Sequence, residues 1–350
     1  YLNVNFLLPA RFLRLSCLSI VEELEMLPDI LKDNLRLPII GSPMFIVSNP
    51  TLVSAQCKAG IVGSFPALNA RPQSLLKDWI REIKDDIAAY KEENPTAKVA
   101  PFAVNQICHV TNDRLIPDME TCVEEKVPII ITSLRPPQEI VDAAHSYGGL
   151  VYHDVINMRH ARKAAEDGVD GLILVAAGAG GHAGMLSPFA IVREVKKWFD
   201  GTILLSGAIG DGFCVASALA MGADLAYIGS RFIATKEANA EDEYKQMLVD
   251  SAADDIVYSS LFTGVHGNYL KPSVSKAGFD PDNLPEADKT TMNFGSGGNT
   301  DAKAWKDIWG CGQGIGNIDS VETIGEVVDS LEAEYKEAIA ELQNKEAMLG

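Results

Sequence analysis

TILLSGAIGDGFCVASALAMGADLAYIGSR, residues 202–231, is the stretch on which the fold is decided. It contains two short apolar runs, TILLSGA (202–208) and LAYIGSR (225–231), with a helical stretch from Asp211 to Met221 between them. Each run is rich in aliphatic residues, lacks polar alternation, and ends in small or polar residues. A run of that kind is buried on both faces, as a strand in a parallel sheet is. Gly222, after the helix, is ordinary helix-to-strand punctuation.

The same unit recurs upstream. LPIIGSP (37–43), GIVGSF (60–65), PFAVNQI (101–107), VPIIITS (127–133), GLVYHDV (149–155) and GLILVAA (171–177) are further runs of this type. Helical stretches separate them, as in Gln73 to Glu93, with apolar residues at 75, 76, 79, 80, 83 and 87. Eight strands alternating with helices predict an α/β chain folded as a (β/α)8 TIM barrel. A doubly wound sheet shares the alternation. Polar residues at the carboxyl end of nearly every run, instead of at one switch point, favour the barrel.

After the eighth run the rhythm is lost. Residues 237–315 begin as a helix and pass through VYSSLFTGVHGNYLKP into stretches such as GSGGN (295–299) and GCGQGIG (310–316). This segment is expected to form a smaller second lobe over the barrel mouth. Residues 318–347 have helical spacing and are expected to return to the barrel wall. The expected division is thus a barrel from 26–236 plus 316–350, and a lid lobe at 237–315. Residues 1–25 stand apart. FLLPARFLRLSCL (6–18) is interrupted by Arg11 and Arg14, too short and too charged to span a bilayer. Met26 opens a sensible helix, so 1–25 is expected to be an upstream segment. The alternative is an N-terminal helix covering the barrel bottom.

Composition narrows the function. The chain has 350 residues, 47% hydrophobic, with 30 Lys+Arg against 48 Asp+Glu and a net charge of −18. It is too apolar to be disordered. The acidic balance opposes a nucleic-acid or polybasic membrane-surface role, since both need clustered positive charge. Six cysteines, at 17, 57, 108, 122, 214 and 311, form no CxxC pair and no metal-ligand spacing. They read as reduced thiols of a cytoplasmic protein, without a metal site.

Three features carry chemistry. GAGGHAG (178–184) follows the sixth run and sets His182 among glycines at a barrel's catalytic end. An imidazole there can transfer a proton near neutral pH. SGAIGDG (206–212) and YIGSR (227–231) follow the seventh and eighth runs, where barrels commonly bind phosphate through backbone amides and need no lysine. GSPMF (41–45) would place Pro43 and Met44 under a planar ligand, and Asn105 ends the third run as a polar group needing partners.

GSPMF, VNQI, HDVINMRHA, GAGGHAG, LSGAIGDG and YIGSRF, in this order, resemble the nitronate monooxygenases, FMN-dependent barrels with a second lobe. The similarity covers roughly residues 36–236. It implies that His182 is the catalytic base. It implies that Pro43, Met44, Asn105, Gly180 and Gly181 surround the isoalloxazine ring, and that Ser206, Gly207, Ala208, Gly229 and Ser230 hold the ribityl phosphate. One departure stands out. Many relatives carry a lysine after the histidine of the fifth strand, and that lysine contacts the flavin, whereas this chain has His153-Asp154.

The leading expectation is oxidation of small alkyl nitronates by O2 to a carbonyl compound and nitrite. His153, and His266 and Tyr269 from FTGVHGNYL (262–270), are candidate substrate contacts. An NADH:quinone reductase and a flavin-type enoyl-ACP reductase are alternatives on the same scaffold. A non-redox phosphate-binding barrel is a further one, although no lysine ends a strand. The oligomeric state cannot be read from these residues.

Overall fold

Eight short parallel strands form the centre of the molecule: β1 (Ile39–Gly41), β2 (Gly63–Pro66), β3 (Phe102–Cys108), β4 (Ile129–Leu134), β5 (Leu150–Val155), β6 (Gly171–Val175), β8 (Thr202–Ser206) and β9 (Leu225–Ile228). A ninth short strand, β7 (Gly181–His182), lies outside this set. This computed structural model describes residues 27–135, 138–262, 264–285 and 308–349. The expectation for 1–25 lies outside them. The strands pair in the order β1-β9-β8-β6-β5-β4-β3-β2. A parallel bridge between Ile40 and Val62 joins β1 to β2 and closes the ring. The predicted TIM barrel is therefore present, with all eight predicted runs as its strands.

Side chains alternate across each strand. Ala103, Ile129, Ile131, Tyr152, Ile173, Leu204 and Leu225 fill the barrel interior. Val104, Ile130, Val151, Leu172 and Ile203 instead pack against the surrounding helices. Continuing the inward set by two residues brings Asn105, Ser133, Asp154, Val175, Ser206 and Tyr227 to its carboxyl end. That parity positions the site.

The connecting helices begin where the sequence supplies a cap. Asn49, Asn157 and Asp211 each accept a bond from a backbone N–H three residues on, and so start Pro50–Lys58, Met158–Glu166 and Gly212–Met221. The C-terminal helix spans Ile324–Leu349, starting later than predicted because Thr323 and Glu326 form a reciprocal cap. It does return to the barrel wall, where Glu334 accepts from the Gly212 N–H at 2.8 Å. Among the described residues, no helix is long and apolar enough to cross a membrane.

The segment after β9 contributes a helix (Asp242–Val249) and a hairpin of β10 (Ile256–Ser259) and β11 (Gly267–Leu270). β11 also pairs antiparallel with β7, so His182 lies opposite Gly267. Leu248, Leu270, Trp309, Cys311 and Ile315 share one apolar cluster with Leu37, Ile39 and Ile228 of the barrel. The described part of 237–315 is thus continuous with the barrel core.

Candidate functional site

A cavity of about 1070 Å³ opens at the carboxyl ends of the barrel strands. This is the end at which barrels carry their active sites. All ten residues expected to hold a flavin line it, and so does His182.

One wall begins at β1. The Ser42 N–H donates to the Ile228 carbonyl at 2.8 Å, tying the first loop to β9. Asn69 holds the Met44 and Ser48 carbonyls through its amide nitrogen at 3.0 and 2.8 Å. Pro43 and Met44 are thereby held against the cavity. A Cβ at Gly229 would come within 2.5 Å of Ser42 Oγ, so a side chain there would turn that hydroxyl aside.

Three neighbouring strand ends supply a hydrogen-bonded row. Asn105 Nδ2 donates to the Ile131 carbonyl at 3.2 Å and to Ser133 Oγ at 2.9 Å. Ser133 Oγ donates to Asp154 Oδ2 at 2.6 Å. Burial pushes the Asp154 carboxyl up to about 6, with the Ser133 bond opposing. The other oxygen, Oδ1, is buried and has no hydrogen-bond partner.

Backbone makes the opposite wall. Gly207 has φ +135°, and Ala208 is left-handed at +53°. The Ala208 N–H donates to the Gly178 carbonyl at 3.2 Å. The Gln313 N–H donates to the same carbonyl at 2.9 Å, and the Gly312 N–H to Ser230 Oγ at 2.8 Å. Gly310, Gly312 and Gly314 therefore line the cavity, from the stretch expected in the lid. The helix after β9 is a single turn, Ser230–Ile233.

His182 is half-buried at this wall, and desolvation pushes its pKa down to about 4. The ring is neutral at pH 7. Its backbone is fixed by β7, and Asn268 Nδ2 donates to the Ala179 carbonyl at 2.6 Å just upstream.

The three candidate substrate contacts lie outside the cavity lining. His153 has the outward parity of Val151 and Val155, so it faces the helices, with Nδ1 2.8 Å from Thr132 Oγ1. Burial pushes its pKa down to about 4. The His266 ring stacks on Tyr258 at 5.0 Å, and its carbonyl accepts from the Ala183 N–H. Tyr269 is 1% exposed and packs with Val274, Ile308 and Phe262. From the hairpin it is Phe262 and Val265 that reach the cavity. Arg71 and Arg114 also line it, unmarked in the sequence reading because no motif surrounds them. Arg114 is held by the Ala67 and Ala70 carbonyls and by Asp118.

A family model described as nitronate monooxygenase matches residues 28–334. The chain belongs to this family. Its members are flavin-dependent oxidoreductases. Nitronate monooxygenase of Paraburkholderia phytofirmans is 26% identical over 361 aligned residues, covering 87% of this chain and 94% of that protein. Among solved structures, nitroalkane oxidase from Streptomyces ansochromogenes superposes with a TM-score of 0.72 at 22% identity, over 90% of this chain and 100% of the other. FabK from Thermotoga maritima gives 0.71 at 24% identity, over 91% and 97%. These two likenesses bear on the barrel fold.

Proposed function

We propose that this family member oxidises small alkyl nitronates with O2 to a carbonyl compound and nitrite, using FMN, with His182 as general base when the neutral nitroalkane is the substrate. The observation that carries the reading is His182 itself: a neutral imidazole on the wall of a large cavity at the catalytic end of a barrel. The residues fit a flavin. A polar row on one wall, with a buried carboxyl oxygen lacking a partner, suits a flat ring with hydrogen-bonding edges. Serine and glycine turns on the other suit an anionic tail. Pro43, Met44, Asn105, Gly180 and Gly181 would surround the ring. Ser206, Gly207, Gly229 and Ser230 would hold the phosphate, with the Ala208 backbone shaping the turn.

FMN supplies the electron transfer when bound. The protein's own part is positional. His182 takes the α-proton of a nitroalkane on its neutral ring nitrogen. Phe262 and Val265 line the same cavity as His182. The substrate binds above the polar row, within reach of His182. Anaerobic mixing of the flavin-loaded protein with an alkyl nitronate, and separately with NADH, tests the reading. Flavin bleaching is expected with nitronate. Fast bleaching by NADH and none by nitronate would overturn it in favour of a quinone or enoyl reductase.

A further inference from the structure

A buried polar atom without a partner requires an explanation, because nearly all such atoms are paired. Asp154 Oδ1 is such an atom, on a residue that lines the cavity. The bonds around it fix where a proton can sit. The Asn105 amide is oriented by the Ile131 carbonyl, which can only accept, so the group facing Ser133 is the NH2. The Ser133 oxygen accepts from that NH2. Its single hydroxyl proton is then free for Asp154 Oδ2, 2.6 Å away. With Ser133 donating to Oδ2, that oxygen is an acceptor and a proton on this carboxyl sits on Oδ1.

We propose that Asp154 acts as a hydrogen-bond donor from Oδ1 to the flavin, a neutral acid in contact with the ring, positioned by Ser133 and Asn105. This rests on the reading that FMN occupies the cavity. A carboxylate in the same place would oppose the electron density of a reduced flavin, whereas an O–H donor supports it. Among the described residues no cation acts on Asp154: burial pushes its pKa up and the Ser133 bond opposes. The same burial that removes water from Oδ1 favours its neutral form. Below about pH 6 Asp154 thus supplies a donor without a charge, and above it the carboxylate opposes the reduced ring.

The titratable neighbours do not confuse the test. Cys108 of β3 is pushed up to about 12 and Tyr227 of β9 well above its ordinary value, so both stay neutral from pH 5 to 8. His182, at about 4, is neutral over the same range. His160, also on the cavity wall, is lowered by burial and Arg159. It is common to the variants compared and cancels.

The experiment is a reduction-potential titration of bound FMN in the wild type and in Asp154→Asn. The asparagine carbonyl can accept from Ser133 while its NH2 takes the place of Oδ1, giving the same donor with no titration. At pH 5, below the Asp154 value of about 6, the two potentials are expected to agree. At pH 8 the wild type is expected to bind reduced FMN about tenfold more weakly, relative to oxidised FMN, than Asp154→Asn does. For a two-electron couple that is a gap of about 30 mV. No gap, or the same gap at both pH values, overturns the proposal. Ser133→Ala provides a second reading: it removes a bond that favours the charged form, so the pH at which the potential bends should rise. A bend that stays or falls overturns the proposal as well. A wild-type protein that takes up no FMN overturns the functional reading, and this inference with it. FMN uptake with a pH-independent gap overturns the donor assignment alone.

Discussion

From β3 to β5 the cavity wall is made of side chains; from β6 to β9 it is made mostly of backbone. Asn105, Ser133 and Asp154 are joined by bonds of 2.9 and 2.6 Å and could be exchanged for residues of similar size without moving the chain. Across the cavity, the turns at 178–182, 206–208 and 310–314 touch one another through N–H and carbonyl groups. A Cβ at Gly180, Gly207, Gly312 or Gly314 would come within 3.0 Å of backbone. One half of the site is therefore set by chemistry and the other by space, and substitutions in the two halves should fail differently.

The largest effect is expected at His182, the one ionisable side chain of the 178–184 loop. His182→Ala should keep FMN and lose about 10²–10⁴-fold in turnover of neutral nitroalkanes. Steady-state rates on preformed nitronates should fall much less. Equal loss on both would make His182 a binding residue. Gly207→Val should follow. Its φ of +135° and the Ala177 carbonyl 2.7 Å from a built Cβ leave no relaxed geometry. A destabilisation of about 1–3 kcal/mol, read by urea unfolding, should accompany loss of FMN. Full FMN occupancy in that variant would show that space does not govern this wall.

His153 and Asp154 sharpen the contrast within one strand. His153 faces the helices and is pushed down to about 4 in the folded chain, against about 6.5 when unfolded. The unfolded state therefore takes up the proton first. Stability is intact above pH 6.5 and is lost as pH falls from there towards 4. Between pH 7 and 5 the wild type should lose about 2 kcal/mol more than His153→Gln does, by linkage, measured as the difference in unfolding free energies. Parallel pH profiles would mean that His153 is solvated. Asn105→Ala should have the smallest effect on FMN binding, about 1 kcal/mol, measured by equilibrium titration, with a comparable loss of stability from its bonds to Ile131 and Ser133. A larger loss of stability than of affinity would place Asn105 with the structural wall.

The sequence made the barrel legible because eight buried runs carry the same composition and end in the same way. His182 and the turns at 206–208 and 229–230 were legible because glycine clusters mark them. What was not legible depended on parity and on distance along the chain. His153 and Asp154 are adjacent, yet one faces the helices and the other the cavity; only the register of β5 against its neighbours decides which. Tyr269 and His266 sit in a segment whose strand is paired on both sides, which turns the aromatic ring of Tyr269 into a core. β7 has two residues, too few for any periodicity. The role of 310–314 depends on the packing of glycine against glycine across the cavity, and spacing does not encode that.

β7 has a consequence for how the site comes into being. Its partner Gly267 follows His182 by about 85 residues. On a growing chain, all eight barrel strands can be synthesised before the strand that anchors the histidine has a partner. Chains begin to fold from the amino end as they emerge. The ring of strands is thus laid down first and the histidine is locked in last, so newly made barrels should pass through a stage that is closed but not yet competent.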